Sequence, residues 1–151
     1  MHLLPVIRSA LALLTLLSAT TVFADRYEDQ VRSNLQTRYD YWYNRGDGWS
    51  QLPALRDMAL VDDGRTASVT YTLTKGNTYK IVGVCDNDCS DIDFELRDDN
   101  GNVVDKDTAN DDIPIVEVTP IRTGEFTLKV IMQSCSNSAG CVYGVDVYRA
   151  R

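Results

Sequence analysis

The sequence predicts an all-β protein, an antiparallel β-sandwich or jelly-roll-like fold of about eight strands preceded by one N-terminal helix. From Met58 onward, apolar and polar side chains alternate with period two, which is typical of strands that bury one face. Turn-forming residues interrupt this alternation about every 8 to 15 residues. Many short strands separated by regular turns favour two packed antiparallel sheets.

The first 24 residues are predicted to be a signal peptide. Arg8 precedes a short apolar run at residues 10–17, and Val22 and Ala24 place small side chains where a signal peptidase reads the chain. We expect cleavage before Asp25, and the apolar run is too short to span a bilayer. The predicted organisation is a signal peptide at 1–24, an N-terminal helix and linker at 25–50, and a sandwich domain at 51–151.

One amphipathic helix is predicted over residues 25–44. Tyr27, Val31 and Leu35 recur at a spacing of four, and Tyr39 and Trp42 extend the same stripe. The glycines that follow Asn44 end the helix.

The aromatic residues near the end of this helix have two interpretations. Tyr39, Trp42 and Trp49 could bind a protein partner or sugar rings, and we take them as candidate partner-binding residues. Alternatively, the rings dock the helix onto the rest of the domain.

The strands follow the helix in order. The turn signals place them at residues 66–74, 78–84, 92–97, 103–104, 113–119, 125–133 and 143–147, after a first strand that begins near Met58. The run Asp98, Asp99, Asn100 and Gly101 predicts a hairpin between the fourth and fifth of these strands.

Three motifs in this region give a family resemblance. They are Leu73-x-x-Gly76-x-x-Tyr79, Asp91-x-Asp93-x-x-Leu96-x-Asp98-x-x-Gly101, and Thr123-Gly124-x-Phe126-x-Leu128-x-Val130. In this order they resemble the bacterial pre-peptidase C-terminal domain, over about residues 60–149. The resemblance implies a small β-sandwich that acts as a non-catalytic accessory or binding module, and some relatives hold calcium near their acidic loops. This sequence differs in its preceding helix, in its two cysteine pairs and in having no peptidase attached.

The charge of the chain argues against two classes of partner. The formal net charge is −7, and removing Arg8 with the signal peptide makes it 14 minus 22, or −8. An acidic domain without basic clusters is not expected to bind nucleic acid or anionic membrane surfaces. We expect an exported monomer of about 127 residues, periplasmic or secreted, without membrane insertion after cleavage.

The four cysteines predict two disulfides. They are Cys85, Cys89, Cys135 and Cys141, an even number in a chain that we expect to be exported. Their C-x3-C and C-x5-C spacings are not those of zinc knuckles. Three connectivities are open: local pairs close short loops, and crossed pairs restrict the unfolded chain more. We favour the local pairs.

Catalysis has little support in the sequence. The single histidine is His2, which lies in the predicted signal peptide, so the mature chain cannot form a Ser-His-Asp triad or a Cys-His dyad. Oxidised cysteines are not nucleophiles. A pair of carboxylates could cleave a glycosidic bond, but only in a deep cleft. We therefore expect that the protein is not an enzyme.

Half of the acidic residues lie between Cys85 and Asp112, where 11 Asp or Glu accompany only Arg97 and Lys106. Like charges at this density repel unless water, salt or a cation screens them. Calcium prefers six to eight oxygen ligands, and it is the cofactor that this pattern suggests. The candidate metal ligands are Asp86, Asp88, Asp91, Asp93, Asp107, Asp111 and Asp112. The alternative is a cation-free rim of turns, in which Asp and Asn bond the local backbone.

These observations lead to one functional prediction and one alternative. The prediction is an exported, non-catalytic binding or accessory module, calcium-stabilised through its acidic loops, with a protein or an extracellular polymer as partner. The alternative is a structural or interaction subunit that docks a partner through its aromatic N-terminal helix and holds no metal.

Overall fold

The computed structural model describes residues 12–44, 46 and 48–151, with side chains described for 25–41, 46 and 48–151. In this part of the chain, helix α1 (Ala12–Asn44) precedes nine strands and one short 3-10 helix, η1 (Pro53–Leu55). The strands are β1 (Trp49–Gln51), β2 (Asp57–Val61), β3 (Thr66–Leu73), β4 (Tyr79–Cys85), β5 (Cys89–Arg97), β6 (Val103–Asp107), β7 (Ile115–Val118), β8 (Gly124–Cys135) and β9 (Cys141–Ala150).

The strands form two antiparallel sheets. In sheet A, β1 and β2 pair with successive parts of β9, which is followed by β4 and then β7. In sheet B the order is β3, β8, β5, β6. From β2 to β9, every connection crosses between the sheets except the β5–β6 hairpin, and this alternation is a jelly-roll arrangement. The predicted fold class is confirmed.

Most strands lie where the alternation of the sequence predicts them, and one strand does not appear in the prediction. β1 has three residues, too few to show a period of two. It pairs Gln51 with Tyr148 of β9, so sheet A begins inside the segment that the sequence assigned to a linker. The predicted hairpin is confirmed: the Asp98 Oδ1 atom accepts hydrogen bonds of 2.9 Å from the N–H groups of Asn100 and Asn102.

The hydrophobic core lies between the sheets. Side chains from every strand except β1 and β6 point inward. The core includes Leu73, Ile81, Phe94, Leu96, Val116, Leu128, Val130, Val145 and Val147, all fully buried. Strand β9 is buried on both faces because α1 covers the other face of sheet A. Within residues 12–44, 46 and 48–151, no helical segment combines the length and the apolar composition that a membrane span requires.

Helix α1 is packed against sheet A by the stripe that the sequence predicts. Val31 and Leu35 are fully buried against Val84 and Val142. Gly144 of β9 lies directly under them, and a Cβ atom built there would lie 2.4 Å from Val31 Cγ1. The absence of a side chain at residue 144 therefore allows the close approach of the helix.

The helix begins earlier than the sequence predicts. It starts at Ala12 and runs through the predicted cleavage point between Ala24 and Asp25. Residues 1–11 of the predicted signal peptide lie outside the described residues, and the signal peptide stays a prediction.

Both disulfides are present, and both are the local pairs. Cys85–Cys89 joins the end of β4 to the start of β5, and Cys135–Cys141 joins the end of β8 to the start of β9. Each bond closes a connection that crosses between the sheets, and Cys89 and Cys135 are register partners on sheet B. The two disulfides therefore hold the sheets together at the same end of the sandwich.

Two of the tyrosines with buried hydroxyl groups, Tyr71 and Tyr143, lie near Asp57. The Tyr143 hydroxyl donates a hydrogen bond of 2.6 Å to Asp57 Oδ2. The Tyr71 hydroxyl is buried, and it has no hydrogen-bond partner among the described residues. Burial raises the pKa of both groups, and the nearby Asp57 carboxylate raises it further.

These raised pKa values give an expected alkaline sensitivity. Above pH 10, the ordinary tyrosine pKa, the unfolded chain ionises these tyrosines and the folded chain does not. Their contribution to stability is therefore fully present below pH 10 and is lost as the pH rises through the higher folded-state pKa. We expect the free energy of unfolding, from urea denaturation monitored by circular dichroism, to fall as the pH rises from about 10 to about 12.

The variants Tyr71→Phe and Tyr143→Phe compare the loss of an unpaired buried hydroxyl with the loss of a hydrogen-bonded one. Both variants should show a shallower alkaline decline. At pH 7, Tyr71→Phe should raise stability by about 1 kcal/mol because an unpaired hydroxyl is removed. Tyr143→Phe should lower it by about 1.5–3 kcal/mol because a hydrogen bond to a carboxylate is lost. Equal effects of the two variants at pH 7 would contradict this assignment.

Candidate functional site

Three of the predicted metal-ligating carboxylates lie near one another at the start of β5. Here β5 forms a local edge of sheet B, because β6 pairs only with the later residues 94–97. Asp91 and Asp93 are alternate residues of β5, so they lie on the same face of the strand. Asp111 lies in the β6–β7 connection, which returns to β5: the Ile92 N–H group donates a hydrogen bond of 3.1 Å to the Asp111 carbonyl oxygen. We call Asp91, Asp93 and Asp111 the acidic edge cluster.

Asp91 is the member whose charge is least compensated. Its Oδ1 atom is buried and has no hydrogen-bond partner among the described residues. Burial raises the pKa of the Asp91 carboxyl, and the charges of Asp93 and Asp111 raise it further. The cluster therefore concentrates negative charge around an oxygen atom that no described donor contacts.

The other two members have partial compensation. Asp93 is only 6% exposed, and its Oδ2 atom accepts a hydrogen bond of 2.6 Å from Gln133 Nε2 on β8. The Asp111 Oδ1 atom accepts one of 2.9 Å from the Ile113 N–H group. Gln133 was not identified from the sequence as a partner of Asp93. It is one of the polar residues that alternate with apolar ones in β8, and this pattern places it on the outer face of sheet B beside β5.

Asp86 and Asp88 lie in the β4–β5 connection and bond other parts of the structure. Asp86 is buried, and its carboxylate accepts hydrogen bonds from the N–H groups of Val142, at 2.6 Å, and of Asp88, at 3.0 Å. Burial raises the pKa of Asp86, and these hydrogen bonds oppose that rise. Asp88 Oδ2 accepts a hydrogen bond of 3.2 Å from Asn137 Nδ2, in the connection closed by the second disulfide.

Helix α1 contacts the same β4–β5 connection. Asn34 Nδ2 donates to the Cys85 carbonyl oxygen at 3.0 Å, and Gln30 Oε1 accepts from the Asn87 N–H group at 3.2 Å. The β4–β5 connection is therefore attached to the β8–β9 connection and to β9 through its carboxylates, and to the helix through its backbone groups.

Asp107, the last residue of β6, binds the backbone of β7 across the β6–β7 connection. Its Oδ2 atom accepts a hydrogen bond of 2.9 Å from the Ile115 N–H group, and Asp105 Oδ2 accepts one of 2.7 Å from the Glu117 N–H group. Both donors belong to β7, the edge strand of sheet A. These carboxylates therefore occupy backbone donors that an edge strand would otherwise present to other chains. Asp112 is exposed.

The seven predicted ligands thus divide among several locations. Among the described residues, no group of three or more acidic, cysteine or histidine side chains is arranged to hold a metal ion as the side chains stand. Binding by the acidic edge cluster would require its carboxylates to rotate toward a shared cation.

Two of the three predicted partner-binding aromatic residues, Tyr39 and Trp49, lie at or beside β1. Trp49 belongs to β1 and is half-buried, with Lys80 Nζ 4.2 Å from the centre of its ring. Tyr39 lines a shallow cavity of about 270 Å³ together with Ser50 and Pro53. The side chain of Trp42 lies outside the described residues. A role of these residues in partner binding stays a prediction.

The described strands form a small jelly-roll domain that carries the acidic edge cluster on sheet B. Comparisons with solved structures find chains that are similar to this one. The chain is similar to the pre-peptidase C-terminal domain of a collagenase from Bacillus anthracis, with 14% identity, a TM-score of 0.48, and 61% of this chain and 86% of that chain covered. The motifs described in the sequence resemble the same family of domains.

Two further structures show the same kind of similarity. One is PliG of Aeromonas hydrophila, a periplasmic lysozyme inhibitor of g-type lysozyme, with 12% identity, a TM-score of 0.44, and 70% of this chain and 89% of that chain covered. The other is a carbohydrate-binding module, CBM36, in complex with calcium and xylotriose, with 16% identity, a TM-score of 0.32, and coverage of 66% and 85%. Comparisons with protein families and with curated proteins found no match.

Proposed function

We propose that this chain is an exported, non-catalytic binding module, and that Ca²⁺ bound by Asp91, Asp93 and Asp111 stabilises it. The observation that carries the calcium proposal is the buried Asp91 Oδ1 atom, which has no hydrogen-bond partner among the described residues. A cation would supply the missing counter-charge for three neighbouring carboxylates. Carboxylate oxygens are the ligands that calcium prefers, and water can complete its coordination.

The topology supports a stabilising role for the ion. Asp91 and Asp93 lie on β5 of sheet B, and Asp111 lies in the connection that leads to β7 of sheet A. A cation shared by these side chains would attach that connection to β5. Because the unfolded chain does not hold the three carboxylates together, binding favours the folded state.

Export and a non-catalytic role rest on other observations. The N-terminal sequence has the features of a signal peptide, and two disulfides suit an oxidising compartment. The only histidine is His2, so general acid–base chemistry would depend on carboxylates, lysines or tyrosines.

The calcium proposal is tested by thermal unfolding. Extracellular calcium modules bind with dissociation constants up to about 1 mM. With that constant, 10 mM CaCl₂ should stabilise the fold by about 1.4 kcal/mol, and the melting temperature should rise by about 4 °C. Melting should be measured by circular dichroism in CaCl₂, in chelator, and in about 30 mM NaCl, which has the same ionic strength as the CaCl₂ and controls for screening.

Two variants identify the site. Asp91→Asn should abolish the calcium-dependent rise, because it removes a charge from the acidic edge cluster. Asp112→Asn removes an exposed charge from the same connection, and it should keep the full rise. A rise below 1 °C in the unmodified protein, or an equal rise in Asp91→Asn, would refute the proposal.

A further inference from the structure

The far end of β5 from the acidic edge cluster borders a cleft of about 640 Å³. Its walls are the β5–β6 hairpin and the β7–β8 connection, and its lining includes Phe126 and Val104 together with charged side chains. Clefts of 300 to 1,000 Å³ with apolar walls and a few polar groups are typical of binding sites.

The most exposed large apolar side chain among those described lies at this cleft. Ile121 is 86% exposed, although the connection around it is fixed. The Gly76 N–H group donates to the Pro120 carbonyl oxygen at 2.8 Å, and the Lys75 N–H group donates to Thr123 Oγ1 at 2.9 Å. Hydrogen bonds on both sides, one to the Pro120 backbone and one to the Thr123 side chain, thus hold Ile121 in an exposed position beside the cleft. A held, exposed aliphatic side chain is suited to insertion into a partner.

The charge of the cleft is predominantly negative. Asp98, Asp99 and Glu117 line it, and Arg122 is the one cationic side chain among the described lining residues. Arg122 pairs with Asp99, and Lys80 pairs with Glu117, so the three carboxylates exceed the two cations by one charge. A hydrogen bond from the Asn102 side chain lowers the pKa of Asp98, so Asp98 is ionised at neutral pH. A cationic ligand is therefore favoured over an anionic one, and the net charge of −7 for the whole chain acts in the same direction.

The lining also distinguishes among classes of ligand. Sugar rings stack on exposed Trp or Tyr faces. Phe126, the aromatic residue among the described lining residues, is only 7% exposed. The lining instead offers aliphatic contact next to carboxylates, which suits a peptide that carries an apolar side chain beside Lys or Arg.

We infer that the cleft between residues 98–100 and 119–122 binds a peptide segment of a partner protein, in which an aliphatic side chain lies next to Lys or Arg. The aliphatic side chain contacts Ile121 and Val104, and the cation lies near Asp99 and Glu117. This inference rests on the proposed role as a binding module, and it names the partner class without requiring the calcium site.

The experiment selects peptides from a phage-displayed library of random dodecapeptides, with the full-length disulfide-bonded protein as bait. Selection is run in 2 mM CaCl₂ and, separately, in chelator. The enriched sequences should share an aliphatic residue adjacent to Lys or Arg. A synthetic peptide of the consensus sequence is then titrated by fluorescence anisotropy. Its affinity should fall at least fivefold in Ile121→Ser and in the double variant Asp99→Asn/Glu117→Gln.

Leu60→Ser is the matched control, because Leu60 is 58% exposed on β2, outside the lining of the cleft. It should change affinity less than twofold, and circular dichroism should show that all variants are folded. The inference is overturned if no sequence is enriched, if the enriched sequences lack a cation, or if Ile121→Ser binds as well as Leu60→Ser. Peptide binding without a calcium-dependent melting shift would refute the calcium site alone. A calcium-dependent melting shift without peptide binding would refute this inference alone.

Discussion

Replacing Arg56 with Ala is expected to lower the free energy of unfolding by about 3–5 kcal/mol, the usual cost of leaving a buried charge without its partner. Asp146 of β9 is 1% exposed, and its carboxylate accepts hydrogen bonds from Arg56 Nε at 2.6 Å and from Nη2 at 2.9 Å. Gln51 Nε2 adds a third, at 2.7 Å. Because Arg56 itself is one-third exposed, water that enters in its place should reduce the loss toward 3 kcal/mol. Urea denaturation at pH 7 measures the loss.

Two comparisons show whether the unpaired charge is the cause. Arg32→Ala removes an exposed ion pair with Glu28 in α1 and should cost less than about 0.5 kcal/mol. Adding Asp146→Asn to Arg56→Ala should recover part of the stability, because the buried group is then neutral. A loss below about 1 kcal/mol in Arg56→Ala, or no recovery in the double variant, would show that Asp146 is adequately solvated without Arg56.

The sequence could not predict this ion pair, although it predicted the fold. Asp146 alternates with the core residues Val145 and Val147, and an acidic residue on the second face of a strand is ordinarily exposed. Here α1 covers that face of sheet A, and Arg56 follows η1, which connects β1 to β2. The burial of Asp146 is therefore a consequence of packing between distant segments. The alternation of residues within one strand predicts which side chains face the core of the sandwich, but it does not predict whether another segment covers the outer face.

The acidic residues show the same limit of prediction from sequence, because their positions in the fold depend on contacts between distant segments. Their number predicted repulsion or a cation, but sequence distance does not tell which carboxylates lie together. Asp91 and Asp93 are close because they alternate on one strand, and this could be predicted. Asp111 joins them only because the β6–β7 connection returns to β5. Asp86 and Asp107 instead accept hydrogen bonds from the N–H groups two residues further along the chain, at Asp88 and Ala109, and this is the local pattern that the alternative interpretation of Asp-rich turns described.

Leu35→Ala is expected to lower the free energy of unfolding by about 2–5 kcal/mol, the range for truncating a fully buried leucine. Leu35 and Val31 are the described α1 residues that are completely buried, so the attachment of the helix depends strongly on them. Ser33 lies exposed on the same helix, and Ser33→Ala should change stability by less than about 0.5 kcal/mol. Urea denaturation of the three proteins measures both effects. A loss below 1 kcal/mol in Leu35→Ala would mean that the domain is stable without the contact of this helix.

A double-mutant cycle tests the geometry of that contact. Gly144→Ala should cost about 1–3 kcal/mol, because the new Cβ atom would lie 2.4 Å from Val31 Cγ1 and 3.0 Å from Leu35 Cδ1. Val31→Ala removes the nearer of these atoms, so the double variant should be more stable than the sum of the two single losses by at least about 1 kcal/mol. Additive losses would indicate that α1 is not held against β9 at Gly144. Coupling of the expected sign would establish the helix as part of the folded domain, which leaves only its outward side chains for any partner.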